Sequence, residues 1–166
     1  MLRRMEKLTI RQMSHSDLDE VCAIENASFS IPWSRNSFAE ALADESNFLF
    51  VCEAGGSVVG YADTWCVLDE ATITNIAVRE DFRSMGIGAM LLKEALDEAK
   101  RRDIAAVTLE VRKSNASAIR LYEKFGFEFV DNVKIAYFEQ EHNFDNPNIN
   151  ALEEIHNLYP KMEHKE

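Results

Sequence analysis

The chain has little of what would place it outside the ordinary soluble domains. No apolar run approaches the roughly 20 residues that cross a bilayer, so no membrane span is expected. The opening residues Met-Leu-Arg-Arg-Met-Glu-Lys carry charge with no apolar core behind it, and no secretory signal is expected there. Cysteine is scarce: Cys22, Cys52 and Cys66 are odd in number, widely spaced and without a Cys-x-x-Cys pair, as suits reduced, packed thiols in a cytoplasmic protein. His15, His142, His156 and His164 sit in polar or terminal segments with no ligand spacing, so no metal is expected. Basic charge is short, 18 residues against 29 acidic, for a net charge of −11. That balance disfavours nucleic acid or an anionic membrane as a partner and suits a cationic substrate. At 166 residues the chain is expected to form a single domain with a real core.

What is present centres on Ile76 to Leu92. Ala71 to Val78 is β-branched and apolar enough for a buried strand, and Arg79, Glu80 and Asp81 stop it. Arg83-Ser84-Met85-Gly86-Ile87-Gly88 follows, where two glycines allow left-handed backbone and bring bare N–H groups against a ligand. From Ala89 the pattern predicts a helix, with Leu92, Ala95, Leu96 and Ala99 on one face and Lys100 to Arg102 placing positive charge at its end. Strand, glycine turn and helix N-terminus together make a phosphate cradle. The spacing is neither Gly-x-Gly-x-x-Gly nor Gly-x4-Gly-Lys-Ser/Thr, which argues against a dinucleotide site or a nucleoside triphosphatase. A glycine-containing turn without a ligand is the plainer alternative.

Before this centre, Leu8 to Met13 alternates like a first strand. Ser16 with Asp19 reads as the capping box of a helix whose apolar side is Leu18, Val21, Cys22, Ile24 and Phe29. Ser34 caps a second helix to about Asp44, with Trp33 and Phe38 spaced as a hydrophobic staple. Asn47 to Ala54 and Ser57 to Val67 read as a hairpin turning at Gly55-Gly56. After it, Ala105 to Val111 is a strand, Asn115 caps a helix with Ala118, Leu121, Tyr122 and Phe125 on one face, Gly126 ends it, and Phe127 to Val130 starts another strand. The order β-α-α-β-β-β-α-β-α-β defines an α/β layer fold with a mixed sheet.

In the strand Ala105 to Val111, alternation sets Thr108 and Glu110 against Val107, Leu109 and Val111. A glutamate there must be paired, for example with Arg112, raised in pKa, or open to a solvated cleft. The functional alternative is a general base, a carboxylate that takes a proton from a reacting group directly or through water. Tyr122, one helix on, is either a core tyrosine with a satisfied hydroxyl or a proton donor to a reacting group.

The Arg-x-x-Gly-x-Gly turn in its setting resembles the pyrophosphate-binding loop of the Gcn5-related N-acetyltransferases. Leu109-Glu110-Val111-Arg112-x-Ser114-Asn115-x-x-Ala118-Ile119-x-Leu121-Tyr122-Glu123-x-x-Gly126-Phe127 resembles their ribosomal-protein alanine N-acetyltransferase branch. So do Phe29-x-x-Pro32-Trp33-Ser34 and Asn75-Ile76-Ala77-Val78, and the likeness covers about residues 8–130. The resemblance implies a sheet splayed between its fourth and fifth strands, with helices on both faces. It implies that backbone groups of Ile76, Ala77 and Val78 bind the acetyl and pantetheine end of acetyl-CoA. Arg83, Ser84, Met85, Gly86, Ile87, Gly88 and Ala89 would form the pyrophosphate turn, and Asn115 would contact the cofactor. By the same resemblance Glu110 is the general base, Tyr122 the general acid, and the acceptor the N-terminal alanine of the basic ribosomal protein S18, with direct transfer in a ternary complex.

Past Val130 the likeness fades. Asp131 to Phe138 reads as an extension of the sixth strand, and no good seventh strand is visible in the divergent segment 139–166, where Ile149, Leu152, Ile155 and Leu158 suggest a short helix. A weak strand, a rebuilt terminus, or a sheet completed by another chain are the alternatives. The acceptor alternatives are another protein N-terminus, a lysine or a small amine; a non-catalytic acyl-CoA-binding protein is the alternative of another class.

Overall fold

The structure, a computed structural model, describes residues 7–129 and 135–139. Within them one seven-stranded mixed sheet has the order β1-β2-β3-β4-β5-β7-β6. β1 (Leu8–Gln12), β2 (Asn47–Ala54), β3 (Ser57–Val67) and β4 (Glu70–Val78) form an antiparallel meander. The β2–β3 turn is Gly55-Gly56 as the sequence predicts, with φ of 56° and 85°, the left-handed pair that tight hairpins require.

α1 (Leu18–Ser28) and α2 (Arg35–Ala43) lie on one face, where Leu18, Val21, Ile24 and Phe38 pack with Tyr61. The predicted cap of α1 at Ser16 is corrected. A short 3-10 turn, His15–Asp17, precedes the helix; Ser14 caps that turn, its N–H donating to Asp17 Oδ2 at 2.8 Å, and Asp17 is the N-cap residue of α1 itself. Asp17 is chosen because it also accepts both Arg11 guanidinium nitrogens at 2.8 Å, which together hold its pKa down at about 2. The cap of α2 stands: Ser34 Oγ accepts from the Ser37 N–H at 3.1 Å, and the Trp33 and Phe38 rings lie 5.5 Å apart.

α3 (Ile87–Arg101) and α4 (Ala116–Lys124) cover the other face. The stripe Leu92, Ala95, Leu96 and Ala99 is buried as expected, but α3 begins at Ile87 rather than Ala89, with Gly86 as its N-cap. Helix propensity alone would not place Gly88 inside a helix; packing of Ile87, 1% exposed, recruits that first turn. Gly60 in β3 makes this close approach possible. A Cβ there would meet Ala77 O and Ile87 Cγ2 at 3.1 Å and Leu91 Cδ1 at 3.2 Å. Gly60→Ala is therefore expected to cost about 1–2 kcal/mol and to weaken whatever ligand the α3 N-terminus holds, as read by denaturant melts and a binding titration.

β5 (Ala106–Glu110) runs parallel to β4. The expectation that the chain after Val130 extends the sixth strand is corrected. β6 (Glu128–Phe129) is short, and β7 (Ile135–Glu139) is a separate strand inserted antiparallel between β5 and β6, pairing Glu110 with Ile135 and Ala106 with Glu139. Reversal supplies hydrogen-bond partners to the outer edge of β5, which a longer β6 would leave bare. The expected short helix around Ile149 to Leu158 lies outside the described residues.

Candidate active site

The sheet opens between β4 and β5. Their pairing runs from Glu70 opposite Ala106 only as far as Ile73 opposite Leu109; from Thr74 to Val78, β4 continues with no strand on that side among the described residues. At the same place the β3–β4 register slips, Asp63 facing Asn75 and Thr64 facing Ile73, so that Thr74 is an extra, bulged residue. The bulge inverts the faces of β4. Ala71 and Ile73 join the core under α3, yet beyond it Ile76 and Val78 do so, while Ala77 joins the core under α1. A bulge also bends its strand, which takes β4 away from β5.

The gap is a cleft of about 750 Å3 whose lining includes Asn75, Ile76, Glu110, Asn115 and Tyr122, walled on one side by Ser28 to Ile31 from the end of α1. Of the residues singled out in the sequence, Ile76, Glu110, Asn115 and Tyr122 therefore meet in one place. Ala77 is 7% exposed, so it can offer a ligand backbone rather than side chain, and Val78 is half-buried on the next turn of the strand.

At the mouth stands the glycine turn. Ser84 and Gly86 are left-handed, at φ 62° and 81°, and a Cβ on Gly86 would meet nothing within 4 Å. The first helical bond of α3 is Met90 N–H to Gly86 O at 3.0 Å, which leaves the N–H groups of Ile87, Gly88 and Ala89 outside the helix ladder. The N-cap residue is a glycine, so no side chain of its own caps them. Open space, unclaimed donors and the positive end of the α3 dipole fit an anion. Met85 is exposed, whereas the Ile87 side chain is core and only its backbone is available. Arg83 departs from the rest. Its Nε donates to Val78 O at 3.2 Å, and it lines a separate groove of about 670 Å3 beside α1.

Glu110 is exposed at the end of β5 and has no ion pair among the described residues, so the alternative of a pair with Arg112 does not occur there. Its face is fixed by pairing: Thr108, on the same side of β5, shares a hydrogen bond of 3.0 Å with Thr72, while Val107 and Leu109 are buried under α3. Asn115 caps α4, its Oδ1 accepting from the Ala118 N–H at 3.2 Å, which leaves its amide donors free to reach a ligand. Tyr122 packs edge-on against Phe127 at 5.8 Å, and its hydroxyl has no hydrogen bond to another described residue. Burial pushes its pKa up, so it stays protonated.

Sequence reasoning missed two buried acids beneath the cleft. Glu25, 1% exposed, accepts from Trp33 N–H at 2.9 Å, from Tyr61 OH and from Asn75 Nδ2 at 3.3 Å. Its signal was available: it lies four and seven residues after Val21 and Leu18, on the apolar face of α1. Asp63, also 1% exposed, accepts from Thr74 Oγ1 at 2.8 Å, while its Oδ1 has no side-chain or backbone hydrogen bond of its own among the described residues. Burial outweighs these hydrogen bonds and raises its pKa to about 6. An acid whose folded pKa lies above its unfolded value loses stability as pH rises through the folded value. Asp63→Asn is thus expected to stabilise the protein by about 2–3 kcal/mol at pH 7 and by almost nothing below pH ~4, in urea melts across that range.

Among the described residues, no group of three or more His, Cys, Asp or Glu side chains is placed to hold a metal ion, and no helix is long and apolar enough to cross a membrane.

The sheet thus parts beside a bare helix N-terminus, and Glu110 and Tyr122 line the gap. The model of the acetyltransferase (GNAT) family matches residues 18–127, and the chain belongs to that family. Among individual relatives, the [ribosomal protein bS18]-alanine N-acetyltransferase of Escherichia coli (strain K12) is 41% identical over 119 residues, 72% of this chain and 80% of the relative. That of Salmonella typhimurium (strain LT2) matches to the same extent, 41% over 119 residues. The crystal structure of the ribosomal-protein-S18-alanine N-acetyltransferase from Escherichia coli superposes with a TM-score of 0.73 at 33% identity, covering 84% of this chain and 98% of that one. The family membership and splayed α/β fold implied by the sequence resemblance are thereby borne out.

Proposed function

We propose that the protein is an acetyl-CoA-dependent N-terminal acetyltransferase acting on the alanine of ribosomal protein S18 in the cytoplasm, with residues 1–166 as one catalytic domain. The observation that carries this reading is the meeting of Ile76, Glu110, Asn115 and Tyr122 in the cleft where β4 leaves β5. The names of the relatives support the choice of acceptor, and the net charge of −11 suits a basic protein substrate.

Acetyl-CoA, when bound, supplies an activated acetyl thioester. The free N–H groups of Ile87, Gly88 and Ala89, with the backbone from Ser84 to Gly86, hold its diphosphate, while Arg83, bonded to Val78 O, stands apart in the neighbouring groove. The outward backbone of Ile76, Ala77 and Val78, bare for want of a neighbouring strand, aligns the pantetheine and the acetyl group, and Asn115 contacts it from the α4 side. Glu110 takes a proton from the acceptor ammonium, directly or through water, so that a neutral amine faces the carbonyl. Tyr122 gives its hydroxyl proton to the leaving sulfur, whose thiol pKa is near 8.5, and the proton still on the acylated nitrogen returns to the phenolate as the amide forms. Holding both substrates together makes the step unimolecular, so a direct transfer in a ternary complex needs no covalent enzyme intermediate.

The test is incubation with acetyl-CoA and peptides that differ in their first residue, together with lysine peptides and polyamines, read by mass. Product confined to Ala-starting basic peptides is expected. Product on lysines or polyamines would move the acceptor elsewhere within the same chemistry, and cofactor binding without any product would favour a non-catalytic acyl-CoA-binding protein.

A further inference from the structure

Asn75 occupies a position that the transfer chemistry above leaves unused. It lies on β4 immediately after the bulged Thr74 and lines the cleft. Because the bulge inverts the strand, Asn75 is turned to the α1 side of the sheet, where its Nδ2 reaches Glu25. Glu110 belongs to the same side: its partner in phase, Thr108, bonds Thr72, and both stand opposite the residues buried under α3. Asn75 and Glu110 thus face one another across the splay, on the side from which the Ser28 to Ile31 wall closes the cleft.

A primary amide can present either its oxygen or its nitrogen to a ligand, and which one depends on its other partner. Here the partner decides. Glu25 Oε1 accepts from the Trp33 N–H at 2.9 Å and from the Asn75 Nδ2 at 3.3 Å, so the amide nitrogen is the end of Asn75 turned to Glu25. The Asn75 Oδ1 is therefore the atom left over, and it makes no hydrogen bond within the described residues. Glu25 itself cannot swing, being held from α2's approach by Trp33, from β3 by Tyr61 and from β4 by Asn75. A carbonyl oxygen with no partner among the described residues, on a residue that lines the same cleft as an exposed carboxylate, is a receptor for N–H groups.

We infer that Asn75 Oδ1 receives an N–H of the acceptor amine across from Glu110, with Glu25 as the positioning residue that fixes the Asn75 amide in that orientation. The inference rests on the proposed function in that the acceptor is an amine, and it adds a specificity-determining contact to the site. A thioester or alcohol bearing no N–H gains nothing from it, and an amine with two substituents loses the hydrogen atom that the oxygen needs. Only a primary amine supplies one N–H to Glu110, one to Asn75 and a lone pair to the carbonyl.

The experiment measures steady-state constants for the amine acceptor that the wild type uses best. Asn75→Ala and Glu25→Ala are each expected to raise the acceptor KM about tenfold, the worth of one hydrogen bond, with the acetyl-CoA KM within twofold. The double variant is expected to be no worse than either single one, since the two residues act through one contact. Glu25→Gln is expected to restore the acceptor KM lost in Glu25→Ala, because its amide oxygen still accepts from Trp33 and Asn75. A purely structural role would lower the melting temperature and the fraction of active enzyme but leave the acceptor KM unmoved. Should Glu25→Ala fail to fold, Asn75→Ser and Asn75→Ala still decide, as they leave Glu25 with Trp33 and Tyr61. An acceptor KM unchanged in both Asn75 variants, with wild-type turnover intact, overturns this inference alone; a wild type that acetylates no amine overturns it together with the proposed function.

Discussion

Glu110→Gln is expected to lower kcat/KM for an Ala-starting peptide by about 100-fold or more at pH 7, the range in which a positioned base contributes. The loss is expected to shrink as pH rises past about 8, where the α-amine deprotonates without help. Glutamine has the shape of glutamate and can accept hydrogen bonds, but it cannot take a proton, so the substitution removes one function and little else. Stability should barely change, since Glu110 is exposed and carries no ion pair among the described residues. The check is a pH–rate profile of both enzymes from pH 6 to 9.5 or thereabouts. A deficit of the same size at every pH would assign Glu110 a structural part and take the proton elsewhere.

Tyr122→Phe is expected to reduce kcat by about 100-fold with the affinity for acetyl-CoA within twofold. The ring alone makes the packing contact with Phe127 at 5.8 Å, and phenylalanine keeps it. The hydroxyl has no protein partner among the described residues, so its removal leaves no orphaned group behind. Because burial holds the phenol protonated, the wild type keeps its donor across the neutral range, and the deficit in the variant should not vary with pH below about 9. Pre-steady-state measurement separates this from slow product release. Normal turnover in Tyr122→Phe would take the residue out of the mechanism.

Much of the arrangement was legible in the sequence because it rests on local rules. The Gly55-Gly56 hairpin, the Ser34 and Asn115 caps and the apolar stripe of α3 each depend on a handful of neighbouring side chains, and each stands in the structure. Alternation in Ala105 to Val111 was enough to bring Glu110 to the side opposite the core. What escaped depends on distant partners. β7 exists because β5 has an open edge, and nothing within Ile135–Glu139 announces which edge it will join. The bulge at Thr74 left a trace, the spacing of three between Ile73 and Ile76 where alternation asks for two, but a nearly continuous apolar run hid it. Asp63, and the partners that make the burial of Glu25 tolerable, were hidden for a related reason. The two acids can be buried only because Trp33, Tyr61, Asn75 and Thr74 converge on them from other elements. The α3 boundary moved by two residues because tertiary packing of Ile87 outweighed the poor helix propensity of Gly88. Local chemistry, then, shows which groups are supplied, and long-range pairing decides which of them meet.

The most direct measurement is a crystal structure with a bisubstrate conjugate, in which an acetyl bridge joins the coenzyme sulfur to the amine of an Ala-starting peptide. The account predicts the diphosphate on the N–H groups of Ile87 to Ala89, the bridge in the gap between β4 and β5, and the alanine nitrogen beside Glu110. A conjugate bound outside that gap, or one whose diphosphate ignores the α3 N-terminus, would contradict it.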